Sequence, residues 1–190
     1  MNCPDPLATT ASETVFTVKG IDANGCVNTD DVKVTVILKQ PVSFSPDDSI
    51  CVGEAVELYA GGGSSYIWYA DNAVLEESNA RVIVSPAVTT KYSVIIKQGE
   101  CFTDTAHPTV YVFDLPEIDA GEDRDVKGGA PTTLRAVSKN VAKYEWSPAG
   151  DIDCPDCSNP VVSPTKTTVY HVKVTSAFGC VAEDEVTLRV

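Results

Sequence analysis

Apolar and polar residues alternate one for one along much of this chain. Glu13-Thr-Val-Phe-Thr-Val-Lys19 does so, as do Val32, Val34 and Val36, then Tyr92, Val94 and Ile96, and finally Tyr170, Val172 and Val174. A period of two sends successive side chains to opposite faces of a strand, and no window shows a convincing helical period. From residue 38 to 114 the pattern predicts strands near 42–45, 49–52, 54–60, 65–70, 81–85, 90–97 and 109–113. From 115 to 190 it predicts them near 117–119, 124–127, 131–137, 142–147, 160–163, 168–175 and 184–190. Gly61-Gly-Gly63 and Pro148-Ala-Gly150 punctuate the loops. Short strands separated by turns in sets of about seven predict an all-β chain of immunoglobulin-like antiparallel sandwiches.

The alternation also repeats on a longer scale. Cys3-Pro-Asp-Pro6, Glu13-Thr-Val-Phe16, Asn24-Gly-Cys26 and Val32-Lys-Val34 return as Cys157-Ser-Asn-Pro160, Thr167-Thr-Val-Tyr170, Phe178-Gly-Cys180 and Val186-Thr-Leu188. A looser middle copy runs through Val84-Ser-Pro86, Thr89-Thr-Lys-Tyr92, Gly99-Glu-Cys101 and Val110-Tyr-Val112. A repeat of about 75 to 79 residues exceeds a solenoid unit and suffices for a small sandwich. The expected division is therefore 1–37, the C-terminal part of an incomplete unit, then 38–114 and 115–190, joined head to tail as a rod. Pro41 and Pro116 each follow a closing strand by a few residues and would stiffen short linkers. Asn24-Gly25 predicts a type I′ turn between the strands of the first piece. A lone hairpin is marginal in water, so residues 1–37 need missing strands or lend their own to a neighbouring molecule.

Charge and cysteine narrow the class. The net charge is −13, from 27 acidic and 14 basic residues with no run of Lys or Arg, which repels phosphate backbones and argues against nucleic acid. No stretch approaches the ~18 apolar residues of a membrane span, and the first turns of chain lack a signal-peptide pattern, so any export information is expected elsewhere. Seven cysteines, at 3, 26, 51, 101, 154, 157 and 180, recur at matching repeat positions rather than in one cluster. That favours disulfides and an oxidising compartment over zinc.

Candidate chemistry is sparse. His107 and His171 fall in different units, His171 alternates with inward residues, and no nucleophile, zinc-protease or phosphate-loop motif occurs. No catalytic, cofactor-binding or metal residue is assigned. Cys154-Pro-Asp-Cys157 has redox spacing but reads as a loop staple. Asp119, Glu122, Asp123 and Asp125, with Asp47 and Asp48 in the matching place, could supply oxygens for calcium between domains; the favoured reading is a solvated acidic edge that guards against aggregation. Trp68 and Trp146, repeated with Tyr66 and Tyr144, are expected in the cores. Cysteine placement leaves two pairings open: Cys51–Cys180 across the joint, or Cys51–Cys101 with Cys180 taken by Cys154 or Cys157.

Ile50-Cys-Val-Gly-Glu-Ala-Val-Glu-Leu58, Tyr66-Ile-Trp68, Thr89-Thr-Lys-Tyr92 and Gly99-Glu-Cys101 resemble bacterial Ig-like repeats of Bacteroidetes surface proteins. Ala120-Gly-Glu-Asp123, Tyr144-Glu-Trp-Ser-Pro148, Cys154-Pro-Asp-Cys-Ser-Asn-Pro160, Thr167-Thr-Val-Tyr170 and Gly179-Cys180 resemble the related PKD-like repeats. The resemblance implies a stalk of a large adhesin, often associated with gliding motility and exported by type IX secretion, with a sorting domain expected beyond Val190. Lys127 departs from the cysteine of many such repeats, so their cystine pattern does not carry over. The expected function is a non-catalytic extracellular structural or adhesive segment. Its partners would be neighbouring repeats, surface polysaccharide or another cell-surface protein, with no nucleic acid and no membrane insertion. One rival is a glycan-binding accessory module of a secreted polysaccharide-degrading enzyme, which predicts a flat row of exposed aromatics at Tyr59, Tyr69 and Tyr111; the other is a filament subunit assembled by strand donation.

Overall fold

A computed structural model describes residues 7–75 and 79–190, so Cys3 lies outside the described residues. The described residues are all-β apart from one 3₁₀ turn at Ala149–Asp151. Its first element is a hairpin of β1 (Thr14–Ile21) and β2 (Val27–Val34), which among the described residues forms a sheet of its own. The loop is not the expected two-residue turn. Ile21 pairs with Val27, leaving five residues between; only Gly25 has positive φ, whereas a type I′ turn needs it at two positions. Asp22 organises the loop instead, its carboxylate accepting the amides of Asn24 and Cys26.

Two sandwiches follow. The first contains β3 (Ser43–Phe44), β4 (Asp48–Cys51), β5 (Val56–Gly61), β6 (Ser65–Ala70), β7 (Ala73–Val74), β8 (Arg81–Val84), β9 (Thr90–Gln98), β10 (Phe102–Ala106) and β11 (Thr109–Phe113). Its sheets are β4-β11-β9-β6-β7, with β10 also on β9, and β3-β5-β8. Inward residues of the two sheets, among them Leu58, Trp68, Val82, Tyr92, Val94, Ile96 and Val110, form one core. The second sandwich contains β12 (Glu117–Asp119), β13 (Arg124–Asp125), β14 (Thr132–Thr133), β15 (Val137–Lys139), β16 (Lys143–Ser147), β17 (Val161–Val162), β18 (Thr168–Thr175) and β19 (Val181–Arg189). The sheet β13-β19-β18-β16 faces the pairs β12-β15 and β14-β17 across a separate core of Leu134, Trp146, Val162, Tyr170, Val172, Val174, Val186 and Leu188.

Three details depart from the sequence pattern. The closing strand of the first sandwich, β11, falls where expected, but β10 precedes it as a strand the pattern does not predict, the two separated at Pro108, which has no amide to donate to the ladder. The strand expected at 131–137 is split into β14 and β15, although the amides of Leu134 and Ala136 still reach the carbonyls of Pro160 and Ser158. Pairing is antiparallel except for β4 on β11 and β13 on β19, which run parallel.

Candidate functional site: the joint between the sandwiches

β4 and β11 run side by side to the exit of the first sandwich, where Cys51 stands opposite Phe113. Three residues later β12 begins the second sandwich, and Pro116 in this linker is buried. From the far side comes the loop between β18 and β19. Ser176 shapes it as Asp22 shapes the first hairpin, its hydroxyl accepting the amides of Phe178 and Cys180, with Gly179 at φ +88°. The loop thereby delivers Cys180 and Phe178 to the exit of the preceding sandwich. Cys51 and Cys180 are disulfide-bonded with Cα atoms 5.6 Å apart, inside the usual range for a cystine. Beside the bond the rings of Phe113 and Phe178 stack with centroids 3.8 Å apart and planes 3° from parallel. Val112, Asn140, Val141 and Ala142 line the adjoining groove.

This settles the open pairing in favour of the cross-joint bond. The alternative, Cys51–Cys101 with Cys180 on the Cys-x-x-Cys pair, fails because Cys51 and Cys101 lie at opposite ends of the first sandwich, and Cys180 and the loop after β16 at opposite ends of β18. Cys101 is exposed in the β9–β10 loop, and among the described residues neither it nor Cys26 has a disulfide partner. Cys154 and Cys157 bond to each other. The first linker is held differently: Lys39 pairs with Asp104 at 2.6 Å, and the backbone of Gln40 exchanges two hydrogen bonds with the side chain of Gln98.

The remaining candidates are structural. Trp68 and Trp146 are buried, and each indole N–H donates to a backbone carbonyl eleven residues on, Asn79 at 2.8 Å and Cys157 at 2.9 Å. The Cys154–Cys157 loop thus caps the core tryptophan, a role its redox-like spacing did not announce; the shared eleven-residue interval was the available signal. Asp47 and Asp123 prove equivalent, each accepting the amide of a closing strand, Thr109 or Thr187, at 2.8 Å. The Thr187 amide first, and the Arg189 guanidinium after it, hold the Asp123 carboxyl below its usual range. The Asp119 carboxylate accepts the amide of Gly121, and that of Asp48 the amide of Ser49. Among the described residues these acids do not converge, and the one metal-sized group is Cys154, Asp156 and Cys157, whose sulfurs are joined to each other.

His107 and His171 lie exposed in separate sandwiches, His171 beside Glu185. Tyr170, by contrast, is buried, and burial first and its bond to Asp151 second raise its hydroxyl pKa. The aromatic row expected of a glycan-binding face does not form. Tyr59 lies on the outer face of β5 near Arg81, while Tyr69 and Tyr111 face out from the opposite sheet.

No family model matches the chain, and no curated protein is similar to it in sequence. Its fold is similar to that of a three-immunoglobulin-domain fragment of titin, at 13% identity and TM-score 0.51, covering 96% of this chain and 76% of that one. Weaker likenesses include the insect immune protein hemolin, 14% identical with TM-score 0.47, covering 93% of this chain and 56% of that one. Sidekick-1 immunoglobulin domains one to four, 15% identical with TM-score 0.41, cover 97% and 60%. The chain is an immunoglobulin-like tandem repeat in fold.

Proposed function

We propose that this chain is a non-catalytic spacer: a stretch of an extracellular stalk that sets distance and direction between other parts of a large surface or secreted protein. The single observation supporting it is the Cys51–Cys180 bond, which fastens consecutive sandwiches where a flexible linker would suffice to connect them. On this reading residues 1–37 close one unit, 38–114 form an Ig-like unit and 115–190 a PKD-like unit. Two disulfides support an oxidising, extracellular setting. The resemblance to Bacteroidetes surface repeats supplies the finer expectation of an adhesin stalk exported by type IX secretion. Neighbouring repeats are the first partners, with surface polysaccharide or another surface protein at a distant tip. Small-angle scattering of the oxidised chain should fit a single arrangement of the two sandwiches, and Cys51→Ser with Cys180→Ser should broaden it. An unchanged profile in that double variant, or saturable binding on a glycan array, would count against a spacer.

A further inference from the structure

The β1–β2 hairpin is a copy of β18–β19 at an offset of 154 residues, since Phe16 stands for Tyr170. The register agrees throughout: Phe16 pairs with Val32 as Tyr170 does with Val186, and Thr14 with Val34 as Thr168 does with Leu188. So does the entry, where Thr14 Oγ1 donates to the carbonyl of Ser12 as Thr168 does to that of Lys166. The loops agree too, with Asp22 and Ser176 each donating a backbone amide to a cysteine carbonyl and accepting that cysteine's amide on the side chain. Gly20 and Asn28 stand where Val174 and Ala182 do, so the apolar face is narrower, and its environment differs. Tyr170, Val172, Val186 and Leu188 are 0% exposed, whereas Val18 and Val32, in the places of Val172 and Val186, are 64% and 58% exposed. Among the described residues nothing pairs with either outer edge of the hairpin, where β18 carries β16 and β19 carries β13.

We infer that the face formed by Phe16, Val18, Val32 and Val34 is a preformed half-core that takes a half-sandwich of the repeat's own kind. That partner carries a Trp-bearing strand to lie antiparallel on β1, as Trp146 lies opposite Val172, and a short strand to run parallel on β2. Asp30 is set to accept a backbone amide from it, as Asp184 accepts that of Ala120 at 2.7 Å. A second copy's hairpin is a poorer occupant. Four modest side chains on two strands cover well below the ~800 Å² per partner of a stable interface and would leave both edges open. This inference rests on reading residues 1–37 as the closing third of a unit.

Two grafts test it: Leu115–Val162 placed ahead of Thr9, and Pro41–Pro86 placed ahead of Ala11, each followed by the rest of the chain. In at least one, amide exchange at Phe16, Val18 and Val32 should slow by about a hundredfold or more relative to the native chain. Val32→Asp should abolish that gain in the graft and leave exchange unchanged in the native chain. Fast exchange of β1–β2 in both grafts, with β9 and β18 still protected, overturns the inference. So does concentration-dependent dimerisation of the native chain that protects its hairpin, which would make a second copy the occupant. Fast exchange in both grafts leaves the spacer reading to its own test at the joint of Cys51 and Cys180, whereas dimerisation through the hairpin would also favour a strand-donating filament over a spacer.

Discussion

At the scale of single residues, the two tryptophans set the strictest demands, because each satisfies volume and hydrogen bonding together. Replacing Trp68 or Trp146 by Phe leaves a gap and strands the carbonyl of Asn79 or Cys157 without its donor. A loss of about 2 to 4 kcal/mol is expected in urea unfolding, confined to the sandwich that carries the change. Gly62 is constrained for another reason. Its φ is +85°, and a Cβ there would collide with the carbonyl of Pro41, so Gly62→Ala should destabilise the first sandwich by about 1 to 3 kcal/mol where the linker crosses it. Asp123 gives a pH signature. Its folded pKa is depressed, so its contribution is present above the ordinary carboxylate range and is lost as pH falls through the folded value. Asp123→Asn should therefore lower the neutral plateau and flatten the acid limb, the variant and the parent chain converging as pH falls through the folded value.

At the scale of elements, strand existence was legible because alternation is a local property, and β6, β9, β16 and β18 fall where Tyr66, Tyr92, Trp146 and Tyr170 predicted them. What local pattern could not show was interruption. Phe102 to Ala106 alternates weakly and ends before Pro108, so its pairing with the lower half of β9 comes from the register of the whole sheet. The hairpin dipeptide misled because an Asx side chain at the loop's start outcompetes a tight turn: Asp22 offers two accepting contacts, and the loop opens to five residues around them. Of the joint, the cysteines were legible as two alternatives. The Phe113–Phe178 stack was not, since neither ring belongs to an alternating run. The Cys154–Cys157 loop carries its own prediction. Cys157→Ser should loosen the carbonyl that holds the Trp146 indole, shifting the fluorescence of that tryptophan to the red, with Trp68 unaffected. The short loop it closes limits the accompanying loss to about 2 kcal/mol.

At the scale of the whole molecule, the cross-joint bond couples two cores that share no residue. Cys51 belongs to the first sandwich and Cys180 to the second, at a sequence separation of 129, so the bond closes a loop that contains most of both. If the first sandwich stays folded, Cys51 remains fixed beside Phe113, and unfolding the second leaves its chain tethered at both ends. The free chain then runs from Phe113 to Cys180, and closing a loop of that length restrains the unfolded state by about 4 kcal/mol in the chain-entropy view. Unfolding the first sandwich alone leaves its chain tethered between Cys51 and Phe113 in the same way, so Cys51→Ser with Cys180→Ser should lower the resistance of both to separate unfolding, and the two melting transitions should separate. Calorimetry reads this directly: a single broadened transition in the wild type, resolved into two in the double variant, each assigned by exchange of β9 and β18 amides. Were the transitions equally spaced before and after, the bond would be passive, and the stacking of Phe113 on Phe178 with the buried Pro116 linker would have to hold the joint alone.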